Sequence, residues 1–292
     1  MLDVVRIAAV GLESKPGQTA QNLEKIDAQS ADAAAAGAQL VLFPELSLTG
    51  FLPNHPVGDH DAWLRAALAA AREIAEPIPG PAIDDLIAIA QSRKTLISTG
   101  LLEDAGHLLF NTQVVVSGQG LLGKWRKLHI PMFEMPFYNG GDEAPVIETP
   151  LGRLGVNICF DALMPESTRL LAVENVEIVL FPFAADPPPR TPQGWADWAG
   201  PSLQARCREN GVFGIAANYV GQVECAGAKQ SFPGGGMALG PDGEIISSRP
   251  NESNSPSMLV VDFTADSLRE ARAAPEYLFR FRRPELYGPL AQ

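Results

Sequence analysis

The chain alternates short apolar runs with helical stretches, and glycine and proline residues separate them. Short continuous apolar runs bounded by turn residues are typical of strands that are buried on both faces. We predict strands at VVRIAAVGL, QLVLFPE, TLISTGLLE, LLFNTQVVVSG, GRLGVNICF, VEIVLFPF, VFGIAANYV and SMLVVDF. Turn residues in ETPLGRLG and LGPDGEII predict hairpins, so antiparallel pairs accompany the buried strands.

The stretches between these strands predict helices. Alanine dominates the first two, and Pro81 and Pro165 stand at first-turn positions, where a missing N–H group costs little. The predicted helices span about 20–37, 61–75, 82–93, 165–175 and 195–210. Because strands and helices are mixed throughout, the pattern favours an α/β fold with a mixed sheet covered by helices, and one domain over residues 1–292.

Composition and charge limit the class of protein. The chain is 46% hydrophobic and 19% charged, which is ordinary for a globular protein. Its formal net charge of -12 argues against a nucleic-acid partner, because phosphate binding depends on a clustered basic surface. The one basic cluster, RFRRPELY at 280–287, is interpreted as a solvated tail or a subunit contact.

Three features favour a cytoplasmic location. The N-terminal segment MLDVVRIAAVGLES lacks the basic start and long apolar core of a signal peptide, so it is interpreted as a first strand. We find no apolar run near the roughly 18 residues of a membrane span. Cys159, Cys207 and Cys225 are too few and too scattered for a disulfide framework, which fits a reducing compartment.

Reactive side chains follow three strand-like segments. LVLFPELSLTGF carries Glu45, LLGKWRKLHIP carries Lys127 and His129, and GVNICFDALMPE carries Cys159. A cysteine nucleophile needs a base to take its proton and donors for the oxyanion that forms on the attacked carbon. A carboxylate in an enclosed site serves as such a base, and a lysine supplies positive charge. Singly, each of these residues is equally compatible with a structural role, but together they supply the nucleophile, the base and the cation that a thiol enzyme needs.

The blocks FPELSLTGF, RKLHIP and ICFDALMPE, in this order, resemble the three signature blocks of the nitrilase (carbon–nitrogen hydrolase) superfamily. Weaker similarity extends the resemblance from about Val5 to Tyr287 through LLFNTQVVVSGQG, GGDEAPVIETPLGRLGV, VEIVLFPFAA, RCRENGVFGIAANYVG and MALGPDGEII. One block alone is a weak motif, whereas three in order are a strong one.

The resemblance implies a role for each matching residue. Cys159 would be the nucleophile, and Glu45 would be the general base and then the acid that protonates departing ammonia. Lys127 would stabilise the oxyanion, with help from the backbone N–H of Phe160. Glu134 best matches a second glutamate that members use between the lysine and cysteine blocks. Glu143 is the fallback for that position, because the loop varies in length.

The resemblance also implies a fold and an assembly. Members have a four-layer α-β-β-α sandwich, and their subunits commonly pair through helices near the active site. The core of the domain would then be about 4–265, and the tail 266–292 would lie in subunit contacts of a homodimer or higher homo-oligomer. Thiolate, carboxylate and ammonium supply the needed proton and charge steps, so we expect no cofactor and no metal.

Other interpretations start from single motifs. A papain-like pair would make His129 the base for Cys159, although a structural hydrogen bond is the preferred role for that histidine. GQGLLG at 118–123 matches a dinucleotide fingerprint, but a strand rather than a helix follows it, which favours a hairpin turn. The segment 54–61 gathers His55, Asp59, His60 and Asp61 without a zinc spacing, which favours a loop at the site mouth and a helix N-cap.

The substrate is the least determined feature. Nitrile-hydrolysing branches usually carry Cys-Trp-Glu-Asn at the nucleophile, whereas this chain has CFDA. N-carbamoyl amino acid hydrolases tend to place an arginine soon after the cysteine, and residues 162–164 are uncharged here. The preferred substrate is therefore a small linear amide, with an N-carbamoyl compound as the alternative and a nitrile or a non-catalytic scaffold role less favoured. By position we expect the pocket wall to contain Phe51, Phe133, Phe183, Ala184 and Trp195.

Overall fold

A computed structural model describes residues 1–55, 58–249 and 257–291 of the chain. Each predicted helix is present, with ends within three residues of the predicted ones. The α-helices of the described residues are α1 (Thr19–Ala35), α2 (His60–Ile74), α3 (Pro81–Arg93), α4 (Pro165–Val173), α5 (Pro192–Asn210) and α6 (Ala265–Ala273). Pro81 and Pro165 begin their helices, as predicted. The sequence did not reveal α6, which is short and mostly polar.

Each predicted strand is also present in the described residues. The strands are β1 (Val4–Gly11), β2 (Leu40–Leu42), β3 (Glu76–Pro77), β4 (Leu96–Asp104), β5 (Leu109–Ser117), β6 (Gly120–Arg126), β7 (Ile147–Thr149), β8 (Gly152–Val156), β9 (Ile178–Phe183), β10 (Phe213–Asn218), β11 (Val220–Cys225), β12 (Ala228–Pro233), β13 (Gly236–Leu239), β14 (Ile245–Arg249) and β15 (Ser257–Thr264). Both predicted hairpins form, as the antiparallel pairs β7–β8 and β13–β14.

Two sheets form the centre of the molecule. The first has the strand order β15-β1-β2-β4-β5-β6, with β3 beside β4, and the second has the order β14-β13-β10-β9-β8-β7. In each sheet three central strands run parallel, β1-β2-β4 in the first and β8-β9-β10 in the second. The strands on either side of these in the two strand orders pair antiparallel, so both sheets are mixed, while the short β3 pairs parallel with β4. A separate hairpin, β11–β12, lies outside them and was not predicted.

Apolar side chains build the sheets and helices into layers. One buried cluster joins α1 and α3 to the outer face of the first sheet, through residues such as Ile26 and Leu86. A larger cluster fills the space between the sheets and continues to α4 and α5, through residues such as Ile7, Ile215 and Leu203. The order of layers is therefore helix, sheet, sheet, helix.

The dinucleotide-like motif GQGLLG lies in a hairpin. Strands β5 and β6 pair antiparallel, with Ser117 opposite Gly120, so the glycines turn one strand into the next. No helix begins there within the described residues, and a helix N-terminus facing the phosphates is what a dinucleotide site requires. The hairpin interpretation is confirmed.

The end of the chain runs along the outside of α5. Arg272 donates to the carbonyls of Gly211 (2.9 Å) and Val176 (2.6 Å), and the Tyr277 hydroxyl donates to the carbonyl of Asn210 (3.1 Å). Phe281 and Leu286 remain exposed. The subunit contact expected for this tail stays a prediction. Among the helices of the described residues, none combines the length and apolarity that crossing a bilayer requires.

Candidate active site

Glu45 lies just beyond β2, at the edge of the first sheet where its parallel strands end. The residue is fully buried, and the next residue, Leu46, has a positive φ of 53°. One carboxylate oxygen accepts hydrogen bonds from Asn111 Nδ2 and Lys127 Nζ, both at 2.7 Å. The other accepts from the backbone N–H of Ala184, on the second sheet, at 2.8 Å. These three donors hold the carboxylate at the junction of the two sheets.

The loop that carries Glu45 requires glycine at position 100. Gly100, in β4, passes so close to this loop that an added Cβ would overlap the backbone nitrogen of Leu46 and lie 3.0 Å from the carbonyl carbon of Glu45. It would also lie 2.8 Å from Oε1 of Gln113. The first two neighbours are backbone atoms, which cannot rotate away, so Gly100 lets the sheet approach the loop.

Gly100→Ala should therefore destabilise the protein. We expect its free energy of unfolding to fall by about 1–3 kcal/mol, the usual cost of forcing extra atoms into a packed site. Chemical denaturation measures this quantity. Gly236→Ala is the matched control, because Gly236 also lies in a strand, has no positive φ, and an added Cβ meets nothing closer than 3.5 Å. Equal stability of both variants would show that the loop tolerates displacement.

Lys127 and Glu134 complete a buried ionic group. Lys127 follows the last residue of β6, and its ammonium donates to Glu45 Oε1 and to Glu134 Oε2, each at 2.7 Å. Glu134 lies in a tight turn, and its backbone N–H donates to the carbonyl of Pro131 (2.8 Å). The structure brings Glu134 to the lysine, whereas Glu143, the fallback, is exposed.

Cys159 lies beyond the end of β8 of the second sheet, close enough to this group for its charges to act on the thiol. We predicted a strand through GRLGVNICF, but β8 ends at Val156, and a 3₁₀ turn spans Cys159–Leu163. A strand could not continue through Cys159, because that residue has a φ of 49°, which lies outside the β region. Such strain in a non-glycine residue costs on the order of 1–3 kcal/mol and often occurs at functional sites. The side chain is 7% exposed.

Burial and charge set the protonation of these groups. Burial, and then the charge of Glu45, raise the pKa of the Cys159 thiol well above its usual range, so the thiol is neutral at rest. Burial would lower the pKa of Lys127, but the carboxylates of Glu134 and Glu45 outweigh it and raise that pKa, so the ammonium stays charged. Burial and the nearby Glu45 raise the pKa of Glu134 to about 7, although Lys127 opposes the shift.

The raised pKa of Glu134 predicts a pH dependence of stability. An unfolded glutamate titrates near 4.5, whereas Glu134 titrates near 7 in the folded protein. Between these values the folded state binds more protons than the unfolded state, so this contribution to stability falls as the pH rises from about 4.5 to above 7. Glutamine does not titrate. As the pH rises over that range, the free energy of unfolding of Glu134→Gln should therefore increase relative to that of the wild type, by on the order of a few kcal/mol.

Unfolding by denaturant at a series of pH values tests this prediction. Glu143→Gln is the matched control, because Glu143 is an exposed glutamate nearby in sequence. Its stability should follow that of the wild type at each pH. Parallel curves for Glu134→Gln and wild type would contradict the raised pKa of Glu134.

The five residues predicted to form the pocket wall occupy different environments. Ala184 contacts the site directly, through its N–H to Glu45. Phe183 and Trp195 are buried and meet edge to face, with ring centroids 5.7 Å apart. Phe51 is fully buried against Phe232 (5.0 Å), in the cluster around the β11–β12 hairpin. Phe133 is 50% exposed and lies beside His55, with centroids 5.7 Å apart.

The remaining candidates take structural contacts. His129 Nδ1 lies 3.0 Å from Asp161 Oδ1, and its side chain is 41% exposed. This is the structural hydrogen bond that we preferred to a Cys–His pair, and the pKa of His129 is raised by its bond to Asp161. Asp59 caps α2 by accepting from the Ala62 N–H (3.1 Å), as predicted. Within the described residues, no three potential metal-ligating side chains form a cluster.

Two buried polar residues near the site escaped the sequence analysis. Asn111 lies in β5 and binds Glu45, and Asp161 lies two residues after Cys159 and binds backbone N–H groups. A polar asparagine inside the apolar run LLFNTQVVVSG was a detectable signal for the first. Asp161 gave no comparable signal, because two of the backbone N–H groups that it binds, those of Leu128 and His129, come from a different part of the chain.

Comparison with known proteins gives consistent matches. The family model described as "Carbon-nitrogen hydrolase" matches residues 6–273. The chain is 28% identical over 286 residues to a nitrilase of Pyrococcus abyssi, covering 97% of this chain and 99% of that one. It is 28% identical over 289 residues to an (R)-stereoselective amidase of a Pseudomonas species, covering 97% and 93%. An amidase structure from Nesterenkonia sp. matches with a TM-score of 0.77 and 26% identity, covering 98% and 96%. The predicted α/β sandwich is confirmed.

Proposed function

The chain belongs to the carbon–nitrogen hydrolase family, whose members hydrolyse carbon–nitrogen bonds other than peptide bonds, and from this premise we propose that it cleaves a small linear amide, releasing ammonia through an acyl-enzyme on Cys159. The observation that carries this proposal is the buried Lys127 ammonium, which joins Glu45 and Glu134 at 2.7 Å each. The charges of Lys127 and Glu45 act on the neighbouring Cys159 thiol. Nucleophile, base and cation are therefore together in one water-poor site.

In the first step the thiol attacks the amide carbonyl. Glu45 takes the proton from Cys159 as the S–C bond forms, and the carbonyl electron pair moves to oxygen. A lysine ammonium has three N–H donors, and Lys127 uses two on carboxylates, which leaves one for this oxyanion. The backbone N–H of Phe160 follows the strained Cys159 and is the second proposed donor.

The second step expels ammonia. Glu45 returns the proton to the amide nitrogen, the C–N bond breaks, and a thioester remains on Cys159. Water then attacks the thioester, and Glu45 takes a proton of that water. The C–S bond breaks, Glu45 returns this proton to the sulfur, and a carboxylic acid leaves the restored thiol. One carboxylate thus serves twice as base and twice as acid, which requires that it stay fixed; Asn111, Lys127 and Ala184 provide that restraint.

Glu134 supports this cycle through Lys127. With Glu45 alone the ammonium would have one anionic partner, and Glu134 fixes the direction of a second N–H bond. Asn54 Nδ2 donates weakly to the other Glu134 oxygen, at 3.5 Å. We infer that Glu134 orients the lysine and balances its charge, so that the third N–H points to the substrate.

The substrate preference follows from the charge around the nucleophile. Residues Ala162, Leu163 and Met164 after Cys159 offer no cation for a substrate carboxylate. Phe183 and Trp195 next to the Ala184 segment are apolar and buried. Uncharged groups suit such a site, so we propose an uncharged, small linear amide as the substrate class.

Ammonia release from a panel of compounds tests the proposed function. The panel contains simple amides, N-carbamoyl amines, N-carbamoyl amino acids and nitriles. We expect the highest kcat/KM for neutral amides. Preference for an N-carbamoyl class would support the alternative substrate, and preference for nitriles would contradict the amide proposal. Release of no ammonia from any class would overturn the proposed function.

A further inference from the structure

A further buried carboxylate, that of Asp161, binds the backbone next to the nucleophile and next to the lysine. Asp161 is 2% exposed, and its oxygens accept from the backbone N–H groups of Ile158 (3.2 Å), Leu128 (3.2 Å) and His129 (2.8 Å). Ile158 immediately precedes Cys159, whereas the other two donors immediately follow Lys127. One side chain is therefore bonded to both of the segments that carry reacting groups.

These bonds matter because both segments lack regular pairing at this point. Strand β6 ends at Arg126, and strand β8 ends at Val156. The backbone N–H of Lys127 donates to the carbonyl of Asn111, and the carbonyl of Lys127 accepts from the N–H of Gly141, both at 2.8 Å. Beyond it, Asp161 supplies the acceptors for the next two N–H groups. Hydrogen bonds to an ionised carboxylate are stronger than neutral ones, so this link is a firm restraint.

The same carboxylate supports the strained nucleophile turn. The Asp161 N–H donates to the carbonyl of Ile158 (3.0 Å), and its side chain accepts from the Ile158 N–H, so the residue closes the turn around Cys159 from both ends. The positive φ of Cys159 needs such compensation from its surroundings. A turn that relaxed would move the sulfur relative to the ammonium on the other sheet.

We propose that Asp161 is a positioning residue, which ties the Cys159 turn to the Lys127 segment and so fixes the thiol relative to the ammonium; this inference rests on the proposed function. Asp161 acts through backbone atoms, and its contact with His129 Nδ1 is incidental to this role. The proposal differs from a Cys–His–Asp arrangement, in which the carboxylate would act by orienting the imidazole.

The variants Asp161→Asn and His129→Ala separate these roles. An asparagine at 161 places an N–H₂ group against backbone N–H donors, so one segment loses its restraint. We expect kcat to fall about 10²-fold with KM within about threefold, the effect of a misplacement near 1 Å. His129→Ala removes the ring but keeps its backbone N–H, so kcat should stay within about threefold of wild type. A loss in His129→Ala as large as in Asp161→Asn would overturn the proposal.

The pH profile of Cys159 alkylation by iodoacetamide separates positioning from simple stability. Lys127 and Glu45 set the protonation of the thiol, so a displaced turn should shift this profile in Asp161→Asn and not in His129→Ala. A folded Asp161→Asn with wild-type kcat and an unchanged profile would overturn the proposal. This readout needs no substrate, so it stays informative if the wild type hydrolyses nothing.

Hydrogen–deuterium exchange of the wild type covers the case in which Asp161→Asn does not fold. The amides of Leu128 and His129 should exchange slowly, because they donate to a buried carboxylate outside any strand. Exchange at the rate of an open loop would overturn the proposal, since the restraint would then be absent in solution.

Discussion

Replacing Cys159 with alanine is expected to abolish ammonia release, with a fall in kcat of about 10⁵-fold or more. When the catalytic residues of a hydrolase act as a unit, removing the nucleophile alone removes nearly all of the rate enhancement. Glu45 and Lys127 would remain in place, but no atom would form the bond to the carbonyl carbon. The measurement is ammonia release under saturating substrate, with enough enzyme to detect the residual rate.

Two further variants make this result specific. Cys159→Ser replaces the thiol with a hydroxyl of nearly the same size, but a hydroxyl gives up its proton much less readily than a thiol, so we expect a comparable loss. Cys225→Ala is the control for cysteine removal, because Cys225 lies at the end of the β11–β12 hairpin and is partly exposed. It should keep wild-type activity. Substantial activity in a folded Cys159→Ala would refute the assignment of the nucleophile.

The covalent intermediate gives an independent readout of the same residue. Intact-protein mass spectrometry after an acid quench should detect the acyl group of a slow amide substrate on the wild type and on Cys225→Ala. Cys159→Ala should carry no such adduct. Turnover without a detectable adduct, under conditions where hydrolysis of the thioester limits the rate, would contradict an acyl-enzyme.

How much of this site could be predicted from the sequence depends on how far apart its interacting residues lie along the chain. Glu45 and Cys159 each follow an apolar strand, and the ends of parallel strands are where reactive residues gather, so each was predictable as a site candidate. They belong to different sheets, so their proximity was implied by the family resemblance and not by the strand pattern. Lys127 was also predicted, although it follows an antiparallel strand, because it completes a recognisable set of blocks. The helices followed equally directly from alanine-rich stretches and from proline at first-turn positions.

The conformation of the nucleophile was not predictable in the same way. The run GVNIC has a strand pattern up to the cysteine, and nothing in it indicates a left-handed residue at 159. That geometry depends on hydrogen bonds around the turn, chiefly those of the Asp161 carboxylate, which also binds the distant segment after Lys127. Phe51 illustrates the same limit, because one aromatic partner, Phe232, lies in a hairpin that the sequence did not reveal. Tertiary contacts, rather than local preference, decide these features.

Glu45→Gln is expected to reduce kcat by about 10⁴-fold while leaving the thiol present. A general acid or base contributes about 10²- to 10⁴-fold, and the upper end applies because one carboxylate moves a proton in each proposed step. Glutamine has nearly the same shape but cannot accept the proton of Cys159. Its N–H₂ group would also face either the donor of Ala184 or the donors of Asn111 and Lys127, so one or two of these hydrogen bonds are lost.

The control for Glu45→Gln must separate lost proton transfer from lost structure. Glu134→Gln is suited to this comparison, because it removes the other carboxylate bound to Lys127 and leaves Glu45 able to accept a proton. Its loss of kcat should be clearly smaller than that of Glu45→Gln. Thiol titration of the unfolded proteins confirms that Cys159 is intact in each, and thermal unfolding confirms that each is folded at the assay temperature. If folded Glu45→Gln retained a tenth of the wild-type kcat, Glu45 would not be the base. Glu134, the other carboxylate bonded to Lys127, would then be the remaining candidate.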